Sequence, residues 1–214
     1  MNINNIKPQE TDPIEVSNDD RKVFARCLAY EKSQHQKADR FYKSQGALDI
    51  ERMEYDDVRF GRPKQLDDID CVVKFYNESQ PVPISEKFRR KKYDDVLFEI
   101  FSDVVERKPG WMIRSQAQRL CYFMEDQDVY EFDDLETIRE ICREFLSQRS
   151  ENDIKKISSN TWSEFTFIYK NCEYTIPVLS VTSTGKHGGW SGACLVISFD
   201  LMKDLGIKFR HYSI

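Results

Sequence analysis

The chain has 214 residues, of which 40% are hydrophobic and 13% aromatic, too much apolar surface for a disordered chain and enough for a real core. The length predicts one domain, residues 19 to 214, behind a flexible polar arm, residues 1 to 18. The net charge of −5 argues against a uniformly basic coat for nucleic acid, yet five of the six residues from Lys87 to Lys92 are basic, leaving one concentrated positive patch.

No run reaches the about 18 to 20 apolar residues of a membrane span, and the first 20 residues hold no apolar core of a signal peptide. The expected location is therefore cytoplasmic, with no membrane partner. The six cysteines (Cys27, Cys71, Cys121, Cys142, Cys172, Cys194) form no CxxC pair and no Cys/His cluster, so reduced core thiols are expected.

Taken in chain order, a first helix is predicted over Asn18 to Ser44, capped by Asn18 or Asp19 and ended by Gly46. Short alternating segments follow at Asp49 to Met53, Ile69 to Phe75, Val82 to Phe88 and Val96 to Phe101, reading as a meander of strands. After the Pro109-Gly110 turn come two short strand or helix candidates, Gln118 to Phe123 and Val129 to Phe132. Asp133 and Asp134 cap a helix over Leu135 to Leu146, where Leu135, Ile138, Cys142 and Phe145 recur at helical spacing. Ser147 to Asn160 reads as a polar connection ending in a helical turn. Trp162 to Tyr169, Tyr174 to Ser180 and Ala193 to Phe199 alternate at the strand period, and Leu201 to Leu205 is a short helix before Gly206. The predicted class is α+β (α/β-like): a central mixed sheet flanked by helices, with a core over 37 to 146 and a strand-rich C-terminal elaboration over 161 to 214.

The chemistry concentrates in three segments: Gln65 to Asp70, Ile84 to Arg90, and Asp95 to Ser102. Turns of hairpin length separate them, so the strands are expected to be neighbours in one sheet, bringing Asp70, Ser85 to Lys87 and Glu99 into one site. Carboxylates gathered there are hard oxygen ligands suited to Mg²⁺ or Mn²⁺, and a lysine beside them can orient the attacking water or neutralise charge developing on phosphorus. Asp70 and Glu99, set among apolar neighbours, would each cost ~1–3 kcal/mol if buried unpaired, which favours a partnered role. Lys87 and Asp39, taken singly, are of the types that more often face solvent. Arg89, Arg90, Lys91 and Lys92 read equally as a solvated turn or as phosphate contacts. His35, His187 and His211 show no triad or zinc spacing and are expected at the surface. Gly185 to Gly192 lacks the spacing of a phosphate-binding loop and reads as a mobile hairpin, where an exposed Trp190 would stack on a base.

The ordered series of Gln65 ahead of Asp70, the Glu86-Lys87 pair, Asp95, Glu99 and Ser102 on one strand, Pro109-Gly110-Trp111, and Gln118 with Tyr122-Phe123 resembles the PD-(D/E)XK nuclease-like proteins of phages and bacteria. The likeness spans about residues 37 to 134 and, more loosely, a closing strand near Val196 to Leu201. It implies a restriction-endonuclease-like fold, with Asp70 as metal ligand and Lys87 beside the water. The family's acid stands two residues before the lysine, where this chain has Ser85. Three arrangements remain: a β-bulge turning Glu86 inward, Glu99 as the ligand from a neighbouring strand, or an inactive nuclease fold. The family often adds a carboxylate from the first helix, for which Asp39 is the candidate.

Two functions follow as expectations. One is phosphodiester hydrolysis of nucleic acid, DNA before RNA, with Mg²⁺ or Mn²⁺. The other is a catalytically silent nuclease fold that binds nucleic acid or a host protein, for instance as a phage-encoded inhibitor.

Overall fold

Helix α1 (Asn18–Ser44) runs unbroken for 27 residues in the computed structural model, which describes residues 18–53, 68–125, 128–182 and 191–214, with side chains from residue 29 onward. Gly46 ends it as expected: its φ of 86° lies in the left-handed region that glycine enters without steric cost, and its N–H donates to the Lys43 carbonyl at 3.1 Å.

Strands β1 (Ala47–Arg52), β2 (Cys71–Phe75), β3 (Val82–Arg89) and β4 (Asp95–Asp103) follow, then the two-residue β5 (Lys108–Pro109) and the one-turn helix α2 (Trp111–Arg114). Next come β6 (Arg119–Met124), β7 (Asp128–Phe132), helices α3 (Leu135–Ser147) and α4 (Glu151–Ser159), and strands β8 (Trp162–Tyr169), β9 (Cys172–Thr182) and β10 (Ser191–Ser198). Helix α5 (Phe199–Leu205) and strand β11 (Arg210–Ser213) close the chain. Asp134 caps α3 by accepting from the Thr137 N–H. The polar segment after α3 is a nine-residue helix, where only a turn is expected, because Ser150 and Asp153 form a reciprocal capping box at its start.

The strands form two sheets. The first, ordered β1-β2-β3-β6-β7-β11, is mixed: β3 and β6 run parallel and its other pairs are antiparallel. The second, ordered β5-β4-β10-β9-β8, is antiparallel throughout. This corrects the expectation of a single meander: β4, with Glu99, does not lie beside β3. The place next to β3 is taken by β6, while Val96, Phe98 and Ile100 on β4 share a buried face with Leu195 and Ile197 of β10. Hairpin-length turns make adjacency possible, but a strand joins the sheet that buries its apolar face.

The first sheet is covered on both faces, which is why β7 is buried at every position. Along β6 the strand period sends Cys121 and Phe123 toward α1, where Ala38, Phe41 and Tyr42 pack, and Leu120, Tyr122 and Met124 into the larger core shared with the second sheet and α3. Phe123 meets Phe41 and Tyr42 edge to face and Phe88 stacked. A fully buried ring of this kind contributes about 1.5–3 kcal/mol over an exposed one. Cys71, Cys121 and Cys142 are buried free thiols, as expected, but Cys172, at the β8–β9 turn, is exposed. No helix among the described residues is long and apolar enough to cross a membrane.

Candidate functional site

Asp70 precedes β2 and is fixed by its own backbone: its N–H donates to the Ile84 carbonyl at 2.9 Å, and its carbonyl accepts from the Met53 N–H at 3.0 Å. Two residues earlier, Asp68 adopts a left-handed conformation, φ 54°, which aspartate tolerates better than most residues. That turn aims both carboxylates at β3. The Ser85 hydroxyl lies 2.7 Å from Asp68 Oδ2 and 3.3 Å from Asp70 Oδ2, and the Glu86 N–H donates to Asp70 Oδ2 at 2.6 Å.

Lys87 shares the face of Ser85, as the strand period requires. Its Nζ donates to Asp68 Oδ1 at 2.9 Å, lies 3.8 Å from Asp70 Oδ2, and sits 4.6 Å above the centre of the Trp111 ring. Burial alone would favour the neutral amine, but the charges of Asp70 and Asp68 outweigh it and hold the lysine pKa above its ordinary value. Lys87 is therefore an ammonium at any physiological pH.

Acid crowds this ammonium from several sides. Burial raises the pKa of Asp68 above the ordinary carboxylate range, against the pull of Lys87. Glu31 on α1 is also raised, first by burial and then by the charge of Asp70. Glu99 reaches the cluster electrostatically from the second sheet; burial raises it, while the Trp111 N–H, donating to its Oε2 at 2.8 Å, and Lys87 pull it down.

Glu86 and Asp39 do not join this group. No bulge turns Glu86 inward: its side chain, fully buried, lies on the opposite face and accepts from Arg52 Nη1 at 2.7 Å and Nη2 at 3.3 Å. Asp39 accepts from the same guanidinium, 2.6 Å from Nη2 and 3.0 Å from Nε. The two acids neutralise Arg52 beneath α1, so the sequence-predicted roles of Glu86 in catalysis and Asp39 in metal binding are not carried by their positions. The first-helix acid facing the cluster is Glu31, eight residues nearer the N-terminus, about 12 Å along the helix axis. Asp68 and Glu31 escaped sequence reasoning. The Asp67-Asp68-Ile69-Asp70 spacing was the available signal for Asp68, since Asp68 and Asp70 stand two apart.

A cleft of about 570 Å³ opens over the cluster, lined among others by Tyr30, Glu31, Asp68, Asp70, Lys87 and Arg90. The basic run divides at its rim. Arg89 is bound to Asp95, with Nη1 2.7 Å from Oδ1 and 3.0 Å from the carbonyl, and Lys92 is bound to Asp128 at 2.6 Å. Arg90 and Lys91 are exposed, and the Arg90 guanidinium lies 4.5 Å from the centre of the Tyr30 ring.

Among the described residues no group of three or more His, Cys, Asp or Glu side chains is arranged to hold a metal ion. The donors available to a cation are the pair Asp68 and Asp70, which converge on the Ser85 hydroxyl. Of the histidines, His35 is partly buried on α1 and His211 lies 3.0 Å from Asp128 through Nε2. Gln65, His187, Trp190 and the glycine-rich segment through residue 190 lie outside the described residues, as does the arm up to residue 17.

Compared with known proteins, the chain matches no family model, no curated sequence and no solved structure.

Proposed function

We propose that the chain is a metal-dependent phosphodiesterase of nucleic acid, built on a restriction-endonuclease-like core whose acid before the lysine has been replaced by Asp68. The observation that carries this reading is the position of Lys87, an ammonium 2.9 Å from Asp68 and 3.8 Å from Asp70 at an open cleft. Two carboxylates with hard oxygens are a donor set that suits Mg²⁺ or Mn²⁺, ions often bound through one or two carboxylates and several waters. A bound ion would supply Lewis-acid polarisation of the phosphoryl oxygen and a more acidic water.

The chain's own groups do the rest. Lys87, held protonated, neutralises charge developing on phosphorus and is not the base that takes a proton from water. Glu31, with its raised pKa and its place on α1 near Asp70, is the group suited to accept that proton. Ser85 and the Glu86 N–H orient Asp70. Arg90 and Lys91 offer phosphate contacts at the rim.

The test is cleavage of single- and double-stranded DNA and RNA with Mg²⁺ or Mn²⁺, wild type beside Asp70→Ala and Lys87→Ala. Metal-dependent cutting lost in both variants is expected. A folded wild type that cuts none of the four substrates with either ion sinks the proposal.

A second reading is favoured by Glu86, whose carboxylate is consumed by Arg52, and by the serine at position 85. On it the chain is a catalytically silent nuclease fold that binds nucleic acid or a host protein, as a phage-encoded inhibitor does. Binding of nucleic acid without cleavage, unchanged by metal, would select it.

A further inference from the structure

Arg90 and Tyr30 come from distant parts of the chain, the end of β3 and the middle of α1, and meet at the mouth of the cleft with guanidinium and ring 4.5 Å apart. Two of the nearby cations are committed, Arg89 to Asp95 and Lys92 to Asp128, whereas no carboxylate among the described side chains lies within 4 Å of Arg90. Arg90 is thus an exposed cation held over an aromatic plane by stacking, with its hydrogen-bond donors left for a ligand.

Below this pair the reactive groups are partly exposed. The side chains of Lys87 and Asp68 are 22% and 16% exposed, and the cleft above them is of the size that takes a small ligand, within roughly 300–1,000 Å³. A duplex is a stiff rod whose bases are stacked and paired, so none offers a free face to the Tyr30 and Arg90 layer. An unpaired strand bends readily, and each of its bases has a free face for stacking.

We propose that the cleft admits a single unpaired nucleic-acid strand, one base stacking on the Tyr30 and Arg90 layer while the adjoining phosphate descends to Lys87. This rests on the proposed phosphodiesterase function and specifies its substrate. The acidic floor fits the same geometry, since Glu31, Asp68 and Asp70 repel any phosphate that Lys87 and Arg90 do not place.

The experiment measures fluorescence anisotropy of a fluorescein-labelled 20-mer with EDTA present, as a single strand and as the same strand in a duplex, with cleavage of both then followed in Mg²⁺. The single strand is expected to bind at least about tenfold more tightly, and Tyr30→Ala to weaken it about 5- to 150-fold, the span of one lost base stack. Tyr30→Trp, which keeps a ring, restores binding, which loss of a merely structural side chain would not predict. Arg90→Ala weakens binding and lowers the salt dependence by about one phosphate contact. Equal or tighter binding of the duplex, or a Tyr30→Ala variant with unchanged melting and unchanged single-strand affinity, overturns the inference. Cutting of duplex but not single strand overturns it while the phosphodiesterase reading stands; neither bound nor cut removes both.

Discussion

Arg52 and Glu86 form a two-pronged ion pair beneath α1, Nη1 2.7 Å from Oε2 and Nη2 3.3 Å from Oε1, while the backbone N–H of the same glutamate holds Asp70 at 2.6 Å. Glu86 therefore joins the two faces of the first sheet: its side chain anchors the helix and its main chain sets the site. Among the described residues, Glu86→Ala would leave Arg52, whose side chain is 16% exposed, with only Asp39 for charge balance. Breaking one side of a buried pair costs about 3–5 kcal/mol. Urea unfolding should show a loss of that order, and a change under about 0.5 kcal/mol would show that the pair does not anchor the helix.

Gly110 has no room for a side chain. A Cβ there would run into the backbone of Glu99 and come within 2.8 Å of its Cγ. The adjacent Trp111 both donates to Glu99 and lies against Lys87. Gly110→Ala is therefore expected to cost about 1–3 kcal/mol, typical of overpacking, and to shift tryptophan fluorescence as Trp111 moves. An Ala variant with wild-type stability and spectrum would disprove the close packing of β4 on α2.

Asp128 ties β7 to the end of the chain. Hydrogen bonds from Lys92 first, then from His211 and Ser213, hold its carboxyl down at about 2. Its unfolded value is about 3.9, so the folded state is favoured above that pH, and the contribution is lost as pH falls through about 2. The stability gap between wild type and Asp128→Asn should shrink between about pH 4 and pH 2. A gap that persists at pH 2 would assign the stabilisation to something other than ionisation of this carboxylate.

Glu31 runs the opposite way. Burial, then the charge of Asp70, raises its pKa, so its ionised form opposes folding, and this penalty is absent below the unfolded value near 4.3 and grows as pH rises toward the folded one. Glu31→Gln should melt higher than wild type at pH 8, with the advantage fading as pH is lowered toward 4. The same acid excess predicts that millimolar Mg²⁺ raises the wild-type melting temperature and that Asp70→Asn abolishes the rise. A Gln variant less stable at pH 8 would place Glu31 in a stabilising contact instead.

Helix α1 with its Gly46 stop, α3 with its Asp134 cap, and β8 over Trp162–Tyr169 were legible in the sequence because capping, left-handed stops and apolar periodicity act within a few residues of one another. That Asp70 and Lys87 would come close was legible too, since the segments that carry them were expected side by side in one sheet. The direction of Glu86 followed from the strand period, but its destiny in Arg52 did not, because Arg52 is 34 residues away and reaches it only once β1 joins β2.

The division of the strands into two sheets, with β6 parallel to β3 and β4 carried off to β10, lay beyond local reading. Local sequence by itself determined where elements start, stop and alternate. Tertiary structure alone decided which apolar faces were buried together, and with that it chose Asp68 and Glu31, rather than Glu86 and Asp39, to surround Lys87. The physical reason is that burial and charge pairing are settled between residues far apart in sequence, by whichever packing leaves the fewest unpaired groups out of water.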